Sequence, residues 1–372
     1  MNRHTIPLGR ILGIPIGLDY SWFLIFVLLT WTLAVGYYPA DFKNWPVAQY
    51  WIVGAITAIM LFVSVLLHEL GHSVVAMRYK VPVRSITLYI FGGISLIGTE
   101  PPTAAAGFWI AIAGPAVSFA LAALFSLTQP FFAGVAPLLA LSKYLAYINV
   151  ALGLFNLIPG FPLDGGGVLR AIIWGASHNM RRATLIAANV GRFIAYLFIF
   201  FGVWQMFGGN FMNGMWIAFI GWFLESAARG QVQQLALHDM LAGHKVSQAM
   251  NRQYTAIPAD TTLQHLVDDH ILASGRRSFV VKRSDVVIGL LTIHHLKGIP
   301  RSDWQTMTAA QAMIPAEQMK RVQPDAELWT ALEEMDRDGV NQLPVMMDSQ
   351  VLGMLSREDV VGYLRTLREL GV

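Results

Sequence analysis

His68-Glu69-Leu70-Gly71-His72 is the stretch of this chain whose residue types and spacing can do chemistry. On a helix, residues four apart share a face, one turn apart, with roughly 6 Å between their Cβ atoms. His68 and His72 can therefore offer two imidazole nitrogens to one metal ion. Glu69, next to the first histidine, is placed to act as general base on an attacking water. The H-E-x-x-H pattern also arises by chance, and a lone histidine on an apolar face is more often packed in a core. Here it lies within residues 60–77 (MLFVSVLLHELGHSVVAM), a run otherwise almost wholly apolar. Three ionisable groups in one hydrophobic helix are costly in lipid, and such groups mark functional sites.

The elements that must position these residues are mostly membrane helices. Of 372 residues, 55% are hydrophobic and 13% charged, whereas a soluble domain has about 25% charged residues. The deficit ends near Arg229, and beyond it charges of both signs become frequent. A membrane domain followed by a soluble one is expected. The net charge of +3 comes without a dense Lys/Arg face, which argues against a nucleic-acid partner. The chain has no cysteine, so disulfides and thiolate zinc sites are excluded. Any zinc must use histidine and carboxylate. The start, MNRHTIPLGR, lacks the order of a cleaved signal peptide and is expected to be retained.

Six spans are expected, at residues 20–35, 51–77, 108–127, 144–157, 187–207 and 212–227. About 20 residues cross the hydrocarbon core, so the first is short unless its flanks contribute. Tyr37, Tyr38, Trp45, Tyr50 and Trp51 read as an interfacial aromatic belt. Residues 6–19 alternate β-branched residues with Gly and Pro, as a short hairpin at the membrane surface does. Residues 81–99 are strand-like and broken by Gly92-Gly93. Irregular backbone at membrane depth survives only against protein or water. A hairpin or re-entrant segment beside the site is one reading, with an edge for an extended peptide; a structural loop is the other. Gly114-Pro115 in the third span allows close helix approach and forces a kink. Arg3, Arg10, Arg78, Lys80, Arg84, Arg170, Arg181, Arg182 and Arg229 fall on one side, against Lys43 and Lys143. The positive-inside rule puts the first group, both termini and the soluble part in the cytoplasm.

Catalytic zinc usually takes three protein ligands and leaves one position open. After His72, the acidic residues among the spans are Glu100, Asp164 and Glu225. Asp164 is the best candidate. It follows two prolines and precedes three glycines (NLIPGFPLDGGG), at a break between apolar segments near the expected depth of His72. Glycine there permits close backbone approach. The competing reading of Asp164 is a helix N-cap.

HELGH in a hydrophobic helix, together with NLIPGFPLDGG, resembles the site-2 protease family of intramembrane zinc metalloproteases over about residues 6–229. The resemblance implies one Zn2+ per chain held by His68, His72 and Asp164, with Glu69 as catalytic base. It also suggests that Asn149 helps bind substrate or stabilise the oxyanion; its alternative is an interhelical hydrogen bond. The implied activity is peptide-bond hydrolysis within or near the transmembrane segment of a single-span membrane protein, as in regulated intramembrane proteolysis, in a prokaryotic cell membrane. Family members often carry an acidic residue shortly before the A-G-P stretch; residues 103–107 (TAAAG) have none, so no role is carried over there.

The soluble half contains a repeat. Gln248-Ala249-Met250 recurs as Gln311-Ala312-Met313, Asp260 to Leu263 as Asp325 to Leu328, and Gly289 to Thr292 as Gly353 to Ser356. Two such units close a core that neither has alone. The pattern resembles a tandem pair of cystathionine-β-synthase (CBS) domains, at residues 246–306 and 307–372 after a linker at 230–245. That resemblance implies an adenine nucleotide (ATP, ADP or AMP) between the repeats and homodimerisation through them. Ser356 would meet phosphate and Asp359 the ribose; Thr292 matches Ser356. His295 stands where the second Asp is expected, and a purely structural pair is the alternative. The fold expected is thus a polytopic α-helical membrane protein of about six spans with short membrane-associated β segments, plus an α/β CBS pair. Competing functions are a CBS-gated transporter or channel and an inactive protease-like scaffold. A transporter predicts polar residues along several spans; here they concentrate at one constellation.

Overall fold

The computed structural model describes residues 5–370 except Phe91 and Ser349. Arg3, one of the basic residues counted above, lies outside them. The chain divides into two units, Met1–Gln234 and Leu235–Val372.

The first unit opens with a hairpin, β1 (Thr5–Ile11) and β2 (Ile14–Asp19). Helix α1 (Ser21–Trp31), a π-helical turn (Thr32–Tyr37) and α2 (Tyr38–Asp41) follow as one 21-residue segment. The flanks do complete the short first span. Pro39 has no N–H to continue the ladder, and the Tyr38 N–H reaches back to the Leu33 carbonyl. Tyr38 is fully buried and its hydroxyl meets Thr57 Oγ1 at 2.7 Å. Tyr37, Tyr50 and Trp45 pack around it. Of the expected interfacial belt, Tyr38 is core, Tyr37, Trp45 and Tyr50 are partly buried against it, and Trp51 is exposed.

Helix α3 (Val47–Arg78) carries the two histidines. β3 (Val83–Tyr89) and β4 (Gly92–Ile97) form an antiparallel hairpin, as residues 81–99 allowed. β2 pairs parallel with β3, so both hairpins join in one sheet of order β1-β2-β3-β4, with β4 at its edge. Helix α4 (Ala104–Thr128) starts at Thr103, whose hydroxyl caps Ala106 N, and runs through Pro115. Helix α5 (Ala136–Asn156) begins earlier than the expected fourth span, because the charge-free residues 136–142 and Lys143 are helical too. Helix α6 (Asp164–Ser177) starts at Asp164, with Leu163 as the cap residue, so the glycines lie in its first turn rather than before it. Helices α7 (Met180–Phe207) and α8 (Phe211–Leu241) complete the unit and lead out of it.

Among the described residues, five segments are long and apolar enough to cross a membrane: Ser21–Asp41, Val47–Arg78, Ala104–Phe132, Ala136–Asn156 and Met180–Phe207. The sixth expected span lies in α8, where Asn213 and Glu225 interrupt the apolar run. Large apolar side chains such as Phe200, Trp204 and Phe207 stay exposed on these helices, as a lipid-facing surface requires. The protein is a multi-pass membrane protein.

The second unit confirms the repeat. β5 (Thr255–Pro258), β6 (Ser278–Arg283), β7 (Val286–Thr292) and β8 (Ile314–Pro315) form one sheet; β9 (Gln342–Met347) and β10 (Gln350–Ser356) form another. Ile314, near the start of the second repeat, pairs with Leu290 of the first; Asn251, near the start of the first, bridges Met354 of the second. Val280, Leu290, Met346 and Met354 pack together as a shared core. The two repeats thus bury surface on each other, which supplies the core that one short repeat lacks.

Candidate metal centre

Helices α3 and α4 cross at glycines. A Cβ on Gly71 would come within 2.8 Å of Val117 and 3.0 Å of the Ala113 carbonyl. A Cβ on Gly114 would overlap His72 Nε2 and lie 2.5 Å from His68 Nε2. The missing side chain of Gly114 leaves the space into which both imidazoles project.

Each ring is fixed by its other nitrogen. His72 Nδ1 donates to the Ile110 carbonyl at 2.7 Å, and His68 Nδ1 pairs with Ser118 Oγ at 2.9 Å. Ser118 is fully buried. These contacts aim both Nε2 atoms at one point. Asp164, the first residue of α6, brings its Oδ2 to 3.0 Å from His68 Nε2 and 3.3 Å from His72 Nε2. The two Nε2 atoms are 3.2 Å apart. With its Nδ1–H given to Ile110, a neutral His72 turns a lone pair toward the other nitrogen and a carboxylate. Lone pairs and negative charge so close repel unless a proton or a metal cation lies among them. Two imidazoles and one carboxylate form a catalytic zinc donor set, and the ring-orienting partners are those a zinc site needs. The residues fit the metal.

Glu69 lies beside this cluster and half-buried, its side chain against the backbone of β4. A Cβ on Gly93 would touch its carboxyl group, 3.1 Å from Oε1. Ser73, one turn on, donates to the Glu69 carbonyl and meets Ser95 of β4 at 3.0 Å. Asn149 on α5 is fully buried, its Nδ2 donating to the Leu145 carbonyl and to Ser64 Oγ on α3. Its Oδ1 has no hydrogen-bond partner.

Ser118, Gly114 and the Ile110 carbonyl were not singled out from sequence as parts of this site. The available signal was their spacing: Ile110, Gly114 and Ser118 are four apart on one face of α4.

The nucleotide candidates lie in the second unit. Ser356 and Asp359 bond each other: Ser356 N and Oγ donate to Asp359 Oδ2 at 2.8 and 2.5 Å, and Asp359 N donates to Ser356 Oγ at 3.1 Å. Thr292 and His295 form the same reciprocal cap, with His295 Nδ1 3.1 Å from Thr292 N. Burial, with His294 beside it, pushes the His295 imidazole below its usual pKa. A neutral ring does not offer ribose hydroxyls the charge of an aspartate.

A membrane-embedded two-histidine, one-carboxylate centre with an adjacent glutamate defines a zinc metalloprotease class, and the comparisons agree. Peptidase family M50 matches residues 56–143 and 133–198, and the CBS domain matches residues 312–366. The chain is 35% identical over 371 residues to Rip3 of Mycobacterium tuberculosis, a protein whose name places it among zinc metalloproteases, covering 98% of this chain and 94% of that one. It is 30% identical to a zinc metalloprotease of Methanocaldococcus jannaschii, covering 80% of this chain and 82% of that one. A solved site-2 protease from that organism matches at 34% identity with a TM-score of 0.43, covering 61% of this chain and 94% of that one. The chain belongs to the M50, or site-2 protease, family and is a zinc metalloprotease.

Proposed function

We propose that this protein hydrolyses peptide bonds within or near the transmembrane segments of single-span membrane proteins, with His68, His72 and Asp164 holding the zinc and Glu69 as general base. The observation that carries the reading is the convergence of the three donor atoms within 3.0–3.3 Å inside a bundle of membrane helices. Zinc bound there supplies Lewis acidity and lowers the pKa of a water to about 7. Glu69 takes the proton of the attacking water and returns it to the leaving amine. The orienting bonds from Ile110 and Ser118 keep both Nε2 lone pairs aimed while this happens. Asn149, buried with an unpartnered Oδ1, is the candidate to hold substrate; the basic flanks support a cytoplasmic site, a cytoplasmic CBS pair and a place in the cell membrane.

A helical substrate hides its carbonyls in its own hydrogen bonds, so it must be held extended to be cut. β4 is the edge strand of its sheet, its Gly93 lies against Glu69, and Ile94 and Leu96 are exposed. A peptide added to that edge runs past the base. The chain has no cysteine, so Ile94→Cys is a clean probe. It is expected to form a disulfide with a single cysteine near the cleavage site of a substrate, and no crosslink at any substrate position removes the edge from the account. The CBS pair is the candidate regulator. Adenine nucleotide binding is expected to depend on Asp359, and equal affinity of Asp359→Ala for AMP, measured by calorimetry, contradicts that assignment.

A further inference from the structure

We propose that Arg192 and Glu225 are positioning residues for Asp164, acting through the segment 158–163; the inference rests on reading Asp164 as a zinc ligand. Residues 158–163 connect α5 to Asp164 with no regular helix or strand of their own. They are held from behind. The Phe161 N–H donates to the Ala187 carbonyl of α7 at 3.2 Å. A Cβ on Gly160 would overlap the backbone of Gly191, and one on Gly191 would overlap the Phe161 carbonyl. The remaining void is about 10 Å³, lined by Phe161, Leu163, Gly191 and Leu224 among others. The back wall of the segment is therefore Gly191 of α7 and the buried Leu224 of α8.

The next residue on each helix is charged. Arg192 Nε lies 3.6 Å from Glu225 Oε1, and Arg229 donates to the same oxygen at 2.8 and 3.2 Å. Tyr196 OH reaches it at 3.4 Å. Glu225 is only 6% exposed. Charges amid apolar helices are costly and persist where they do something. Small residues already bring the helices together further along: a Cβ on Gly221 would lie 2.7 Å from the Ala195 carbonyl, and one on Gly202 would overlap Ala218. The ion pair closes that seam at the level of Gly191 and Leu224.

Neutralising Glu225 leaves two cations without their carboxylate. Glu225 is the buried member, while the arginine side chains reach outward, 37% exposed at Arg192 and 59% at Arg229; without the carboxylate they extend further toward water. The seam opens, Leu224 leaves the wall, and the segment that aims Asp164 gains freedom. Loss of a partner bonded directly to a metal ligand typically costs about 10–100-fold in metal affinity, and a change one layer further out is expected at the low end of that range.

The test is zinc affinity of the purified full-length protein by chelator competition, with the visible spectrum of the cobalt-substituted form as a second readout. Glu225→Gln and Arg192→Gln are each expected to weaken zinc binding on the order of tenfold and to alter the cobalt spectrum. The exchanged pair Arg192→Glu with Glu225→Arg rebuilds the link between the helices and is expected to recover most of the affinity together with the wild-type cobalt spectrum. Leu224→Ala, which changes the wall without touching a charge, is expected to weaken binding in the same direction and decides the matter if Glu225→Gln does not fold. Wild-type affinity in Leu224→Ala, or in a folded Glu225→Gln, overturns the inference. Asp164→Ala is measured alongside: undiminished zinc affinity there overturns the ligand reading itself, whereas lost affinity there with wild-type affinity in Glu225→Gln overturns only the positioning role.

Discussion

Glu69→Gln is expected to keep its zinc and lose proteolysis, with cleavage of a co-reconstituted single-span substrate falling on the order of 10²–10⁴-fold. The change is nearly isosteric, so the contact of residue 69 with Gly93 survives. Neither histidine relies on Glu69 for its orientation: their Nδ1 atoms are held by Ser118 and Ile110. What is lost is a group able to accept a proton. Retained cleavage at near wild-type rate would remove Glu69 from the mechanism. Lost zinc would show that it supports the metal rather than the reaction.

Gly114→Ala is expected to abolish zinc binding without costing helix stability. Alanine is better than glycine in a helix interior by about 1 kcal/mol, so α4 itself gains. The added methyl, however, occupies the place toward which His68 and His72 point, overlapping His72 Nε2 and lying 2.6 Å from His72 Cε1. The rings must turn away, which breaks the bonds to Ile110 and Ser118. Metal content by atomic emission, beside the zinc-free thermal unfolding temperature, checks both halves. Full zinc occupancy in Gly114→Ala would mean that the space at Gly114 is not part of the metal site.

Much of this was legible from residue order. The two histidines and Asp164 were visible because helical spacing and the cost of charge in lipid mark them. The repeat offsets between Gln248 and Gln311 gave the soluble half. What stayed hidden depends on which faces meet. A membrane helix is apolar all round, so its pattern does not say which side is buried. Nothing in the order of residues announces that Ser118 reaches His68, or that β2 finds β3 across most of α3. Helix starts were also blurred. The start of α5 at Ala136 was missed because charge-free, polar-poor residues read alike as turn or helix. Tyr38 reads as a belt residue by type, yet its hydroxyl finds Thr57 and it is buried. Gly160 and Gly191 gave no period at all; their role appears only where two backbones touch.

The central claim is that His68, His72 and Asp164 together hold one catalytic zinc. Zinc per chain, measured on the purified full-length protein beside Asp164→Ala and His68→Ala, tests it most directly. The account predicts close to one zinc per chain in the wild type and a large loss in both variants. Full occupancy in Asp164→Ala, or an active wild type with no zinc, would contradict it.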